Sequence, residues 1–437
     1  MPLRNLTILL LTALVCIVCR VEAARNRYAA EISWVLDTIG EKYIEEVNER
    51  KLFEAGVHGI MEELDPYSSY MPPAENEQFN SEIEQKFGGI GVEIGVKDER
   101  LTVLSPIPGT PAHEAGLLAG DTIMAIDGTD TEGFGMNDCV KLIKGEPGTS
   151  VVLSIRHKDA EEIIDVTVQR AIIQVESVRG DRRKPNGDWL FTLESHPNIG
   201  YLRLSTFAKN SADEVRATLE SLNGNVDGVI IDLRQNPGGL LYIAVEICDM
   251  FLPKGKVIVS IRGRGGVLSA SPFESTEEPV CDPNLPVVLL VDKFSASASE
   301  IFAACMQDHD RATIVGQRSY GKGTVQDVIK MERGKSAMRL TTAGYWRPSE
   351  KNIHRNEDDD ESAEWGVKPK PEDTIEIDDE SYIQLWRQRY RRDSRGHSDD
   401  EEAAESIVDP FLQRAVDVIL GTESKREDAS DSSHVAA

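Results

Sequence analysis

Positive charge is what this 437-residue chain is short of: 48 lysines and arginines face 75 aspartates and glutamates, for a formal charge of −27. No basic surplus is left to displace counterions from phosphates, which excludes nucleic acid as a partner and disfavours an anionic membrane surface. Cysteine is scarce as well. Of the six, Cys16 and Cys19 lie in an N-terminal apolar run, and Cys139, Cys248, Cys281 and Cys305 form no C-x-x-C pair. That spacing offers no zinc site, and no other metal or cofactor is called for. Buried free thiols are expected, although an oxidising compartment allows one or two disulfides whose pairing the spacing does not fix. Long apolar runs are also missing. The one stretch, Leu6 to Cys19, is shorter than the roughly 20 residues a bilayer crossing takes.

With Arg4 ahead of that run and Val21-Glu22-Ala23 behind it, residues 1–23 read as an export signal. The chain is therefore expected to work outside the cytoplasm, in a periplasm or as a secreted protein. If retained, the segment becomes an N-terminal membrane anchor instead. Its removal takes away Arg4, Arg20 and Glu22, so the remainder is one unit more acidic.

The length calls for more than one domain. Ile32, Val35, Leu36, Ile39 and Tyr43, then Leu52, Val57, Ile60, Met61 and Leu64, recur at helical spacing and predict a small helical unit over 24–86. The prolines and serines from Leu64 to Pro73 end its helices. From 87 to 170, short β-like runs between glycines and prolines (Gly89 to Val96, Leu101 to Leu104, Asp121 to Ile126, Val151 to Arg156) and two short helices make a compact β-rich module. The span 171–422 alternates strand and helix, as a layered α/β domain does. Its strands include Gly200 to Leu204, Gly228 to Leu233 and Val287 to Val291, and its helices include Ala212 to Leu222, Leu240 to Phe251 and Ala298 to Cys305. Past Tyr345 the chain reads as acidic and irregular, with a solvated acidic insertion near 350–365, then a packed helix at Pro410 to Leu420 and a disordered tail over 423–437.

Three segments of the α/β span carry chemistry. Ser295-Ala296-Ser297-Ala298-Ser299-Glu300 follows the apolar strand Val287 to Val291 and opens a helix. A hydroxyl at such a corner is exposed, and the free N–H groups and positive end of the helix favour developing negative charge. Tyr320-Gly321-Lys322-Gly323-Thr324 sets a lysine between glycines; an ammonium that serves as a base must be held neutral by burial. The order of residues around Lys322 does not fit a phosphate loop, because Gly323 follows the lysine. Asn236-Pro237-Gly238-Gly239 lies at a strand end before a helix, where glycines present backbone N–H groups without obstruction. Each segment alone also suits a structural turn or helix cap. A Ser-His-Asp triad through His309 is excluded by distance, since His309 follows Ser297 by twelve residues along one helix, or about 18 Å.

Together, and with Leu64-Asp65-Pro66-Tyr67-Ser68-Ser69-Tyr70, these segments resemble the carboxy-terminal processing peptidases, also called tail-specific proteases; Tyr67 stands where the family usually has histidine. The resemblance runs from about Leu64 to Gln326. It implies a crotonase-like ββα catalytic domain, with Ser297 as nucleophile, Lys322 as general base, Gln326 as the residue that positions the lysine, and an oxyanion hole from the N–H groups of Ala298 and of Gly239 or Gly238. The module over 87–170 is similar to a PDZ domain, with Gly88-Gly89-Ile90-Gly91-Val92 as the loop that catches a peptide carboxylate. The partners implied are protein or peptide C-terminal tails that add as a strand at the sheet edge; a homo-oligomer is allowed. The function implied is an exported serine endopeptidase (EC 3.4.21) cutting substrates near their C-termini. The competing class is a PDZ-type adaptor with a catalytically silent α/β body. An acyl-CoA enzyme of crotonase-like architecture leaves the export segment and the PDZ-like module unexplained.

Overall fold

The computed structural model describes residues 12–16, 20, 27–97, 100–107, 109–158, 160–184, 187–393 and 407–422. The expected export signal, 1–23, is described only at 12–16 and 20, and the expected tail, 423–437, lies outside the described residues. No helix among the described residues is long and apolar enough to cross a membrane. The chain forms two compact units, one joining the residues up to Asn76 with Gln326–Thr341, the other made of Glu77–Val325 and Thr342–Ala437.

The first unit is not the contiguous 24–86 segment expected. Its helices Arg27–Lys42 and Glu49–Glu62 are those the spacing predicts, the second capped by Asn48, whose side chain accepts the Lys51 N–H. The Pro/Ser segment does not simply end the unit. Asp65 folds it into a turn by accepting the N–H groups of Tyr67 and Ser68 at 2.8 and 2.9 Å. It then becomes a strand, Ser69–Met71, antiparallel to Ala337–Arg339. This long-range pairing is what draws residues 326–341 out of the α/β span.

In the second unit, five strands, Val92–Lys97, Arg100–Pro106, Thr122–Ile126, Ser150–Arg156 and Ile163–Gln169, form an antiparallel sheet in the order first, second, third, fourth, fifth, with Thr129–Asp130 beside the third. Its core is Leu101, Val103, Ile123, Ile126, Val151, Leu153, Ile155 and Val168, closed by Cys139 and Ile143 of the helix Met136–Ile143. The expected strand Gly89 to Val96 is broken in two: Lys86–Gly89 pairs with Ala171–Gln174, and Val92–Lys97 belongs to the sheet.

The α/β portion is built on the strands Ile199–Leu204, Gly228–Asp232, Val287–Val291 and Thr313–Gly316, all parallel, with Val178–Arg179 antiparallel at one edge. Both faces are covered, as a parallel sheet requires, and the side chains alternate between them. Val229, Ile231, Leu289 and Val291 join the core formed with the helices Ser211–Leu222, Leu241–Asp249 and Ala298–Asp308. Ile230, Val288 and Leu290 join Leu385, Phe411, Ala415 and Val416 on the other face. A second, antiparallel sheet, in which Val257–Arg262 pairs with Phe273–Glu274 and with Gly344–Trp346, packs on the helices Leu241–Asp249 and Ala298–Asp308. The region past Tyr345 is less irregular than its composition suggests. It contains the helix Asp379–Asp393, whose inward residues Tyr382, Leu385 and Arg389 include a buried arginine paired with Asp181 and Asp393. The cysteines Cys139, Cys248, Cys281 and Cys305 are buried free thiols.

Candidate active site

The C-terminal ends of Gly228–Asp232 and Val287–Val291 lie side by side, and each runs into a turn that leads to a helix. At the first end, Asp232 is fully buried and accepts from Tyr201 Oη at 2.8 Å and from Arg234 Nη2 at 2.7 Å. Burial alone pushes its carboxyl up, but the Arg234 guanidinium and these hydrogen bonds outweigh that and hold it below the ordinary aspartate value. Arg234 also reaches Asp409 at 3.0 Å, the cap of the helix Pro410–Leu420.

The two turns are stitched together. The Asn236 carbonyl accepts the Ala296 N–H and the Ser299 hydroxyl, both at 3.0 Å. Asn236 Nδ2 donates to Leu204 O at 2.7 Å and its Oδ1 accepts the Gly238 N–H at 2.9 Å. Gly238 has φ +100°. A Cβ there would lie 2.8 Å from both Ala298 N and Ser297 Cβ, so only glycine lets this turn approach the serine turn so closely. Ser297 itself sits at the N-cap of the helix Ala298–Asp308 with φ 57° and ψ −114°, a strained position for a residue with a Cβ, and it is buried.

Glu300, one turn into that helix and fully buried, is the group that sequence reasoning left without a role. Its Oε2 accepts the N–H groups of both Ser297 and Lys322, each at 2.8 Å. Its Oε1 accepts the Gly321 N–H and the Ser319 hydroxyl, each at 2.6 Å. The backbone nitrogens of Ser297 and Lys322 therefore share one oxygen and lie within twice that distance of each other. Burial pushes the Glu300 carboxyl above its usual range, against the opposing pull of the Ser319 hydroxyl and the three N–H groups. The cue for Glu300 was in the sequence: Ser-x-x-Glu at a helix start is a capping pattern.

The glycines flanking Lys322 serve close packing rather than an open surrounding. A Cβ on Gly323 would meet His354 N at 2.2 Å, and one on Gly321 would meet Trp365 at 2.9 Å and Arg355 Cβ at 2.8 Å. The acidic insertion thus ends in a buried strap over the lysine loop. Trp365 stacks on Arg318 at 3.6 Å, and Ser319 exchanges hydrogen bonds with Val367. Gln326 falls in the other unit, where its Nε2 donates to Thr341 Oγ1 at 3.2 Å, and Thr341 in turn donates to Asp65 at 3.1 Å. His309 caps the far end of the serine helix, its Nε2 2.7 Å from the Val257 carbonyl.

In the β-rich module, Gly88 and Gly89 are strand residues paired with Ile172 and Ala171, so the turn proper is Ile90-Gly91. Gly91, at φ +76°, leaves no room for a Cβ beside Thr110. The Ile90 carbonyl accepts the Ala112 N–H at 2.8 Å, and the Gly91 carbonyl accepts the Ile107 N–H and the Thr110 hydroxyl, both at 2.9 Å. Val92 then opens the edge strand of the sheet.

A buried serine on a strained strand-to-helix corner, with glycine backbone pressed against it and a lysine loop tied to the same carboxylate, is the constellation of a serine hydrolase. Comparison with known proteins narrows the class. The model of Peptidase family S41 matches residues 198–370, that of the PDZ domain 102–157, and that of the activating protease CtpB N-terminal domain 20–74. The carboxy-terminal-processing protease of Bartonella bacilliformis is 37% identical over 327 residues, covering 73% of this chain and 71% of that protein. The carboxy-terminal processing protease CtpB of Bacillus subtilis is 32% identical over 346 residues, 79% of this chain and 69% of that one. The structure of a putative S41 protease from Bacteroides fragilis, 17% identical, shares the fold with a TM-score of 0.51 over 89% of this chain and 97% of that chain. The chain belongs to the carboxy-terminal processing peptidases of family S41, as a serine protease that carries a PDZ domain.

Proposed function

We propose that this chain is an exported endopeptidase that uses a Ser297–Lys322 dyad to cut protein substrates near their C-termini, with the PDZ domain holding the substrate tail. The Ser297 hydroxyl attacks the scissile carbonyl while neutral Lys322 takes its proton. The tetrahedral intermediate collapses, the C–N bond breaks, and the leaving amine carries that proton away. Water then attacks the acyl-enzyme, returning a proton to Ser297 through Lys322. The observation that carries this assignment is the single oxygen of Glu300 that accepts the N–H groups of both residues.

The oxyanion hole is assigned to the N–H groups of Ala298 and Gly239. Two observations favour Gly239 over Gly238: the Gly238 N–H is already donated to Asn236 Oδ1, and the Gly238 carbonyl is turned toward Phe207, whose N–H it accepts at 2.9 Å. In a trans peptide the next N–H, that of Gly239, points the opposite way. The same geometry supports a carboxylate nest in the PDZ domain. With the carbonyls of Ile90 and Gly91 engaged inward, the N–H groups of Gly91 and Val92 face outward, next to an edge strand that a peptide can extend. Gln326 keeps the lysine-positioning role its place in the motif implies. Residues 1–23 act as the export signal, and the catalytic layering is crotonase-like, which the second sheet packed on the helices supports.

Ser297→Ala tests the assignment. The variant is expected to keep its fold, followed by circular dichroism and thermal unfolding, and to lose all cleavage of fluorescein-labelled β-casein. Hydrolysis by the purified variant at the wild-type rate would reject the nucleophile. A peptide cut less efficiently when its C-terminus is amidated is the corresponding expectation for tail recognition.

A further inference from the structure

Beyond the dyad, one cluster of polar groups has no role in the chemistry above. Asp292, at the end of the strand Val287–Val291, is fully buried, and its carboxylate faces both catalytic turns. On the serine side its Oδ1 accepts the N–H groups of Phe294 and Ser295, both at 3.0 Å. On the glycine side both of its oxygens accept the Gln235 N–H at 3.1 Å, and Gln235 holds φ +60°. A further bond comes from outside both turns, for the Tyr382 hydroxyl of the helix Asp379–Asp393 donates to Oδ2 at 2.5 Å and accepts from Gln235 Nε2 at 2.6 Å. Gln235, Phe294, Tyr382 and Trp386 also line a cavity of about 950 Å³.

We propose that Tyr382 is a positioning residue for the oxyanion hole, its hydroxyl bridging Asp292 and Gln235 so that the Gly239 and Ala298 N–H groups stay at the spacing a tetrahedral oxyanion needs. The assignment rests on the Ser297 peptidase reading. A hole acts on the transition state and not on bound substrate, and misplacing it by a fraction of an ångström costs turnover while leaving binding intact. Tyr382→Phe removes only the bridging oxygen and leaves the ring contact with Phe294, whose centroid is 6.1 Å away.

The test is kinetic, on fluorescein-labelled β-casein, joined to inhibition by a peptide boronic acid, whose tetrahedral adduct occupies the hole. Tyr382→Phe is expected to lower kcat about 10- to 100-fold at unchanged KM, and to weaken the boronate by a similar factor. Ile383→Ala, on the same helix with its side chain half exposed, is expected to change neither. Gln235→Asn shortens the amide away from the phenol while asparagine tolerates the positive φ, and is expected to shift kcat and boronate affinity in the same direction; it decides the matter if Tyr382→Phe does not fold. Wild-type kcat and boronate affinity in a folded Tyr382→Phe or Gln235→Asn variant would overturn the proposal alone. A wild-type protein that neither cleaves casein nor binds the boronate would overturn the peptidase reading, and the proposal with it.

Discussion

The serine turn and the lysine loop face the same carboxylate but acquire their shapes differently. The serine turn is largely self-made: Asp292 and Ser295 hydrogen-bond their own segment, Ser297-x-x-Glu300 opens the helix, and small residues let Gly238 approach. The lysine loop is held by groups distant in sequence. Its form is imposed by Glu300 from the serine helix and by His354, Arg355 and Trp365 from the insertion strap. A turn shaped by its own side chains announces itself in sequence, whereas one shaped by distant elements does so only through its glycines.

That contrast can be broken at the shared point. Glu300→Gln keeps the shape but turns an amide NH₂ toward two of the four donors, which then lose the oxygen that accepted them. It is expected to lower casein turnover by about 100-fold and stability by about 1–3 kcal/mol, read by kinetics and urea unfolding; turnover within a factor of two of wild type would separate the turns again. Acting on the lysine side alone, Gly323→Ala forces a Cβ against the His354 backbone. A loss on the order of tenfold in kcat is expected, with the boronate affinity changing much less, because the proposed oxyanion donors, the Ala298 and Gly239 N–H groups, lie outside the lysine loop. Equal losses in both would mean that the loop and the hole are one rigid piece.

The smallest effect concerns acid. Asp232 supports the glycine turn through Arg234, and its carboxyl is held below the ordinary value by that guanidinium despite full burial. Its contribution is complete above the unfolded aspartate value of about 4 and is lost as pH falls through the lower folded value. Thermal unfolding between pH 7 and pH 3 is expected to show a decline at the acid end that Asp232→Asn flattens; an unchanged slope would remove Asp232 from the account.

Much of this architecture was legible beforehand. The parallel strands are continuous apolar runs, and the serine corner and the glycine turn are each read at strand ends. Three features were hidden for physical reasons. The helix Asp379–Asp393 escaped because its buried stripe includes Arg389, whose charge is satisfied by Asp181 and Asp393 rather than by water. The N-terminal unit reads as one contiguous segment because its strand Ser69–Met71 finds its partner, Ala337–Arg339, far along the chain. The role of Glu300 is hidden because a capping glutamate does not reveal that a second loop will reach for its free lone pairs.

The most direct test of the central claim is the turnover of Lys322→Ala with and without an added primary amine. The account predicts a folded, inactive variant whose cleavage of labelled β-casein is partly restored by methylamine and not by a tertiary amine too bulky for the lysine's place. Wild-type turnover in Lys322→Ala without any amine would contradict it.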